Sequence, residues 1–153
     1  MSVLKIEIGE SAELCAIADE LRKKVFIDEQ GVPEDEAFDG LNGQSHHAVV
    51  FYDGAAVATA RLLRTDNRWQ IGLVAVVQSK RGQNLGEKIM GAAIDFIASN
   101  GGDEIFLTAQ QQVCGFYKKL GFEQSGELTV FESGFVLVPM KRILHRNGAR
   151  EPS

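Results

Sequence analysis

The chain is poor in the residues that staple, break or anchor unusual folds: two cysteines, three prolines and one tryptophan among 153 residues. Cys15 and Cys114 stand far apart, which excludes a disulfide framework and a cysteine-built metal site, so no metal is expected. No apolar run approaches the roughly 20 residues of a membrane span. The opening MSVLKIEIGESAEL has no basic region followed by a long apolar stretch, so it does not read as a signal peptide. A cytoplasmic protein without membrane contact is the expectation. Positive charge is also in deficit, 16 Lys and Arg against 21 Asp and Glu for a net charge of -5. That balance disfavours nucleic acid as a partner, although a local basic patch can still hold one anion.

What remains is the composition of an ordinary globule, 44% hydrophobic and 24% charged. At this length folding buries roughly 68–70% of the unfolded surface, enough for one domain. No repeat, low-complexity tract or linker interrupts it. We expect a single domain over residues 1–143 and a disordered tail over 144–153.

Residues 3–8 (VLKIEI) alternate apolar and polar, as a strand with one buried face does. Ser11 can cap a helix whose Leu14, Ile17, Ala18, Leu21 and Val25 recur at helical spacing. Residues 31–45 (GVPEDEAFDGLNGQS) are acidic and read as a loop long enough to carry function. Asp53-Gly54 predicts a hairpin between strands 47–53 and 55–63. Residues 69–77 (WQIGLVAVV) suit the middle of a covered sheet. A helix follows with Leu85, Ile89, Ala92, Ala93, Phe96 and Ile97 on one stripe, ended by Gly101-Gly102. A strand at 104–108, a short helix at 113–120 and strands at 122–131 and 135–141 complete a β-α-β-β-β-α-β-α-β-β order, a mixed α/β domain.

The turn before the long second helix, RGQNLGEKIM, departs from a nucleotide P-loop. Gly82 and Gly86 enclose three residues instead of four, Glu87 precedes Lys88, and no hydroxyl stands ready for magnesium. A nucleotide-binding protein is therefore disfavoured. A strand, a glycine turn and a helix start still form an anion site, because the first N–H groups of a helix lack partners and face the positive dipole end. Lys80 and Arg81 lie in that turn.

Arg81-Gly82-Gln83-Asn84-Leu85-Gly86 resembles the acetyl-CoA pyrophosphate loop of the GNAT acyltransferases, with Asn84 where a glycine is usual. Asn tolerates left-handed backbone angles. Gly115-Phe116-Tyr117-Lys118-Lys119-Leu120-Gly121-Phe122 resembles the second signature of that family. The segment from Leu21 to Pro33, then Asp39, His47 and Thr108-Ala109-Gln110, is similar to its ElaA-like branch. Leu73 stands where that branch usually carries Arg, and Leu137 lies where it commonly shows a His after a Pro.

The resemblance implies a GNAT-like fold, a mixed and mostly antiparallel sheet flanked by helices. It implies an acyl-CoA-dependent N-acetyltransferase that moves acetyl from acetyl-CoA directly to a primary amine in a ternary complex. The acceptor is a small amine or a protein amine, and the family allows a homodimer. The implied cofactor site is Val74, Ala75 and Val76, Arg81, Gly82, Gln83, Asn84, Leu85, Gly86 and Glu87, with Gln110, Phe116 and Tyr117. Backbone of the strand 69–77, splayed from its neighbour, would pair with the pantetheine arm, and one well-placed N–H donor is worth roughly 3–4 kcal/mol to a developing oxyanion.

Tyr117 is the candidate donor to the leaving thiolate. A phenol of pKa about 10 beside a thiol of about 8.5 makes full proton transfer uphill by roughly 2 kcal/mol, so hydrogen bonding is the better description. An amine of pKa about 10.4 needs roughly 4–5 kcal/mol to lose its proton at pH 7, so a base is useful. Glu29, Glu36, Asp39, His46 and His47 are candidates, with Glu29 preferred because it ends a helix beside the acidic loop. Glu36, Asp39 and His47 are expected to line the acceptor site. Cys114 has no His or Asp beside it in sequence and is set aside as a nucleophile. The rival from another class is a non-catalytic acyl-CoA-binding or regulatory module, favoured by the apolar Leu73 and Leu137.

Overall fold

A computed structural model describes residues 3–32, 45–66, 68–132, 134 and 136–144. The alternating start forms β1 (Leu4–Gly9). The Ser11 hydroxyl accepts from the Leu14 N–H at 3.1 Å and opens α1 (Ala12–Arg22), whose buried stripe is Leu14, Ala18 and Leu21. Beyond Arg22 the coil widens into a π-helix, Lys23–Glu29. The sequence reading carried an ordinary helix through Val25, because over a single turn the two periods are too close to separate. The wider turn buries Val25 to 2% exposure beside the sheet. π-Helical turns are frequent at functional sites.

The hairpin of β2 (Ser45–Tyr52) and β3 (Ala55–Thr65) turns at Asp53 and Gly54, with φ of 52° and 88°. Two positive angles in succession are what a twisted hairpin requires and what Asp-Gly permits. Then come β4 (Arg68–Val76), a 3-10 turn (Gln78–Lys80), α2 (Leu85–Ser99) and β5 (Glu104–Gln110). A 3-10 turn (Gln111–Val113), α3 (Cys114–Lys119), β6 (Glu123–Gln124), β7 (Thr129–Val130) and β8 (Val136–Ile143) finish the chain. The helix expected at 113–120 is thus a 3-10 turn feeding a six-residue helix. Leu144 donates its N–H to the Asp103 carbonyl at 2.7 Å, and residues 145–153 of the expected tail lie outside the described residues.

The strands form one sheet in the order β1-β2-β3-β4-β5-β8-β6, with β7 also pairing β8. Among these pairings β4–β5 is parallel and the rest antiparallel. Helix α2 seals one face through Ile89, Met90, Ala93 and Ile97 against Leu62, Ile71, Ile105 and Met140. Helix α1 covers the opposite face near Val49. This is the mixed, mostly antiparallel sheet flanked by helices that the resemblance implied. No helix among the described residues is long and apolar enough to cross a membrane.

The strand expected over 122–131 is instead broken into β6 and β7. Gln124 faces Met140 and Thr129 faces Leu137, so the two strands do not share one register against β8. Pro139 stands in the gap. It has no N–H to donate, and its carbonyl is taken by Ser125 N at 2.8 Å.

Two features of β4 position the site. Arg61 faces Gly72 while Thr59 faces Ala75, so Leu73 and Val74 of β4 oppose the single Ala60 of β3 in a bulge, and Leu73 takes a φ of 50°. On its other edge β4 pairs with β5 only at Trp69–Ile105 and Gln70–Phe106. Past Gln70 the two strands part.

Candidate active site

The parting strands open a cleft of about 770 Å³. Gly72 to Val76 form one wall and Leu107 to Gln110 the other; Val25, Phe26 and Gln30 close it from the π-helix side, and Phe116 and Tyr117 from α3. Strands that separate leave main-chain donors and acceptors without a ladder partner, ready to pair with an extended amide-bearing chain. The expected Val74, Ala75, Val76, Gln110, Phe116 and Tyr117 are all in this lining.

A second hollow of about 310 Å³ continues from the cleft around the start of α2. It is lined by Gly82, Asn84, Leu85, Gly86 and Glu87, with Lys80, Arg81 and Lys119 supplying positive charge. Asn84 precedes the helix in the left-handed conformation, φ 63°, and no side chain caps the helix start. Gly82 has φ 85°, which a side chain would strain. The uncapped helix N–H groups with Lys80 and Lys119 suit a diphosphate, and Gln83 lies in the same turn. Lys119 was missed in the sequence because it reaches this hollow from another helix.

Tyr117 sits half-buried in α3, edge-on to Phe116 at 5.0 Å and to Phe122 at 6.1 Å. Burial, and secondarily the neighbouring Cys114, push its pKa above 10. A phenol held protonated is a hydrogen-bond donor and a weak acid. Cys114 is buried and directs its thiol to the Gln110 carbonyl, Sγ–O 3.7 Å.

The candidate bases are placed differently from expectation. Glu29 forms a two-point ion pair with Arg81, Oε2–Nη1 2.5 Å and Oε1–Nη2 2.8 Å, while Arg81 Nε donates to the Val76 carbonyl at 3.0 Å. The hydrogen bonds from Arg81 hold the Glu29 pKa below 4.5. A carboxylate so occupied is a poorer proton acceptor than a free one. It ties the end of the π-helix to the anion loop. His46 points to the α2 face, 5.0 Å from the Phe96 ring and 3.0 Å from Glu10 Oε2, and does not line the cleft.

His47 is a correction. It was expected at the acceptor site, yet it is fully buried beneath α1, its Nδ1 3.1 Å from Arg22 Nη2. Alternation along β2 sends the two histidines to opposite faces, and α1 covers the second. Glu36 and Asp39 lie outside the described residues. Among the described residues lining the cleft, none is a carboxylate or an imidazole.

The sequence reading also missed two buried cations. Arg22 is 0% exposed and pairs with Asp19 at 3.2 Å; Arg61 is 8% exposed. Burial lowers the Arg22 pKa to about 10, Asp19 opposes this, and the charge of Arg61 adds to it. The available signal was a basic residue standing where the pattern of Leu14, Ala18 and Leu21, or of VATARLL, asks for an apolar one.

An uncapped helix start joined to a splayed pair of parallel strands, with a tyrosine lining the cleft between them, fits an acyltransferase. The acetyltransferase (GNAT) domain family matches residues 12–144, and the chain belongs to that family. It is 30% identical over 139 residues to the uncharacterized N-acetyltransferase YjcF of Bacillus subtilis, covering 91% of this chain and 99% of that one. Protein ElaA of Escherichia coli is 32% identical over 108 residues, 67% of this chain and 71% of ElaA. The crystal structure of ElaA superposes with a TM-score of 0.79 at 25% identity, over 93% of this chain and 99% of that one. An aminoglycoside 6'-N-acetyltransferase complexed with coenzyme A shares the fold, with a TM-score of 0.74 at 13% identity over 99% of both chains.

Proposed function

We propose that this acyltransferase moves an acetyl group from acetyl-CoA directly to a primary amine while both are bound. The observation that carries the reading is the cleft along the open edge of β4, which reaches Tyr117 and shares Val76, Arg81, Gly86 and Phe116 with the hollow at the uncapped start of α2. The helix start with Lys80 and Lys119 receives the diphosphate, and the freed β4 backbone receives the amides of the arm.

In the reaction the amine nitrogen bonds to the acetyl carbon as the carbon–sulfur bond breaks. A main-chain N–H of the bulged β4 segment stabilises the oxyanion, and the Tyr117 hydroxyl donates to the departing thiolate, which takes up a proton to leave as the thiol. The proton displaced from nitrogen passes to solvent or to Glu36 or Asp39. A double acyl transfer through Cys114 is disfavoured by its burial against the Gln110 carbonyl.

The apolar walls that Leu73 and Leu137 give this cleft favour one other reading, an acyl-CoA-binding module without turnover. A panel of amines incubated with acetyl-CoA, with thiol release followed, separates the two. Acceptor-dependent release is expected. Tight acetyl-CoA binding with no release for any amine would support the module.

A further inference from the structure

Phe26, Leu73 and Leu137 reach the cleft from the π-helix, β4 and β8, and line it without lining the hollow at the start of α2. Each is half-buried, and none belongs to or packs against the two core clusters of the described residues. Leu73 on β4 and Ala109 on β5 stand equally far past Gln70 and Phe106, the last paired residues of the two strands. Gln110, next to Ala109, faces Leu137 on β8. The two leucines therefore flank the parted strands at nearly one level. Leu73 is held there at a φ of 50°, a left-handed angle that Gly or Asn adopts more easily than leucine. Backbone strain of this kind persists where the surrounding structure fixes it, and it concentrates at functional sites.

The geometry points to Leu73 and Leu137 as specificity residues for an acceptor with an apolar body, an alkylamine or arylalkylamine that carries a single amine. This deepens the acetyltransferase reading and rests on it. In that reading the donor takes the hollow and the Val74 to Val76 backbone, which leaves the acceptor's body to the side chains that line the cleft alone. An alkyl or phenyl group there covers apolar surface that neither core cluster covers, and gains the free energy of leaving water. A second ammonium or a carboxylate on the same body would give up its water beside leucine. Arg81, the charged residue in the described lining, is already paired with Glu29.

The test offers the full chain acetyl-CoA with pentylamine, phenylethylamine, aminopentanol, diaminopentane or aminopentanoate, the linear acceptors differing only in the group at the far end. Pentylamine and phenylethylamine are expected to exceed the other three in kcat/KM by about tenfold or more, the gain from burying a leucine-sized group. Leu73→Asn should bring pentylamine and aminopentanol to within about twofold, because the new amide removes that gain. Asn suits the left-handed angle, so Tm and its rise with acetyl-CoA should be retained, which separates lost selectivity from lost packing. Leu137→Thr keeps a strand-forming residue, should shrink the apolar advantage in the same direction, and serves where Leu73→Asn does not fold. Equal or better use of the polar or charged acceptors by the wild-type protein overturns the assignment. So does an apolar preference that survives both substitutions, whatever happens to total turnover. Acetyl-CoA binding with no amine turned over removes the acetyltransferase reading, and this assignment with it; turnover of diaminopentane or aminopentanoate alone removes only the assignment.

Discussion

The cleft and the region beside it are made of different materials. The end at α2 is made largely of backbone: glycine turns, a left-handed Asn84, uncapped helix N–H groups and an unpaired strand edge. The region beneath α1, beside the cleft, is made of buried side chains that meet from distant segments, Arg22, His47 and Arg61. A backbone site is written in contiguous residues, because one local conformation makes it. A side-chain site depends on which strand faces which, and a single-residue change of face moves a histidine from one side of the sheet to the other.

The sharpest way to break this contrast is Gly86→Asp. Wild-type protein should gain about 2.7 kcal/mol of stability at an acetyl-CoA concentration of roughly 100 Kd, seen as a rise in Tm. The variant should gain none, because its carboxylate enters the space meant for the diphosphate. A variant that folds and shows the same rise would remove the helix start from the cofactor site.

Tyr117→Phe should lower kcat by about 10²-fold or more while the acetyl-CoA KM stays level. Because its pKa lies above 10, ionisation of this phenol should not reduce turnover anywhere in the neutral range. Equal turnover in the two proteins would leave Tyr117 as a packing residue beside Phe116 and Phe122.

Beneath α1, Arg22→Met removes hydrogen bonds to Asp19 and His47 and should cost about 1–3 kcal/mol in denaturant unfolding. Acetyl-CoA binding, measured on the folded variant, should be retained. Loss of that binding would show that the two regions are not separable.

Smaller still is the expected effect of Glu36→Gln with Asp39→Asn, a modest rise in acceptor KM that shrinks as salt screens exposed charge beyond about 8–10 Å. A fall in kcat with KM unchanged would instead identify a catalytic base there. The least effect is expected from Glu29→Gln, since its ion pair with Arg81 is exposed. The folded pKa of Glu29 lies below its unfolded value of 4.5, so the contribution is present above about pH 4.5 and is lost as pH falls through the folded value. Stability that rises on acidification through this range in the wild type, relative to Glu29→Gln, would contradict the pairing.

Much of this protein was legible from the sequence because short-range rules decide it. The Asp53-Gly54 hairpin, the Ser11 cap, the left-handed Asn84 and the apolar stripe of α2 each depend on residues within one or two turns. Their backbone consequences follow from sterics and periodicity wherever the segment is placed. The tertiary structure alone decided that α1 relaxes into a π-helix, that Pro139 splits the strand facing it, and that Glu29 closes on Arg81 across 52 residues of chain. It also decided that His47 and Arg22 are buried together and that Arg61 stands across the ladder from Gly72. Those outcomes turn on which face of a strand meets which helix, a choice made by long-range packing and not by any local preference.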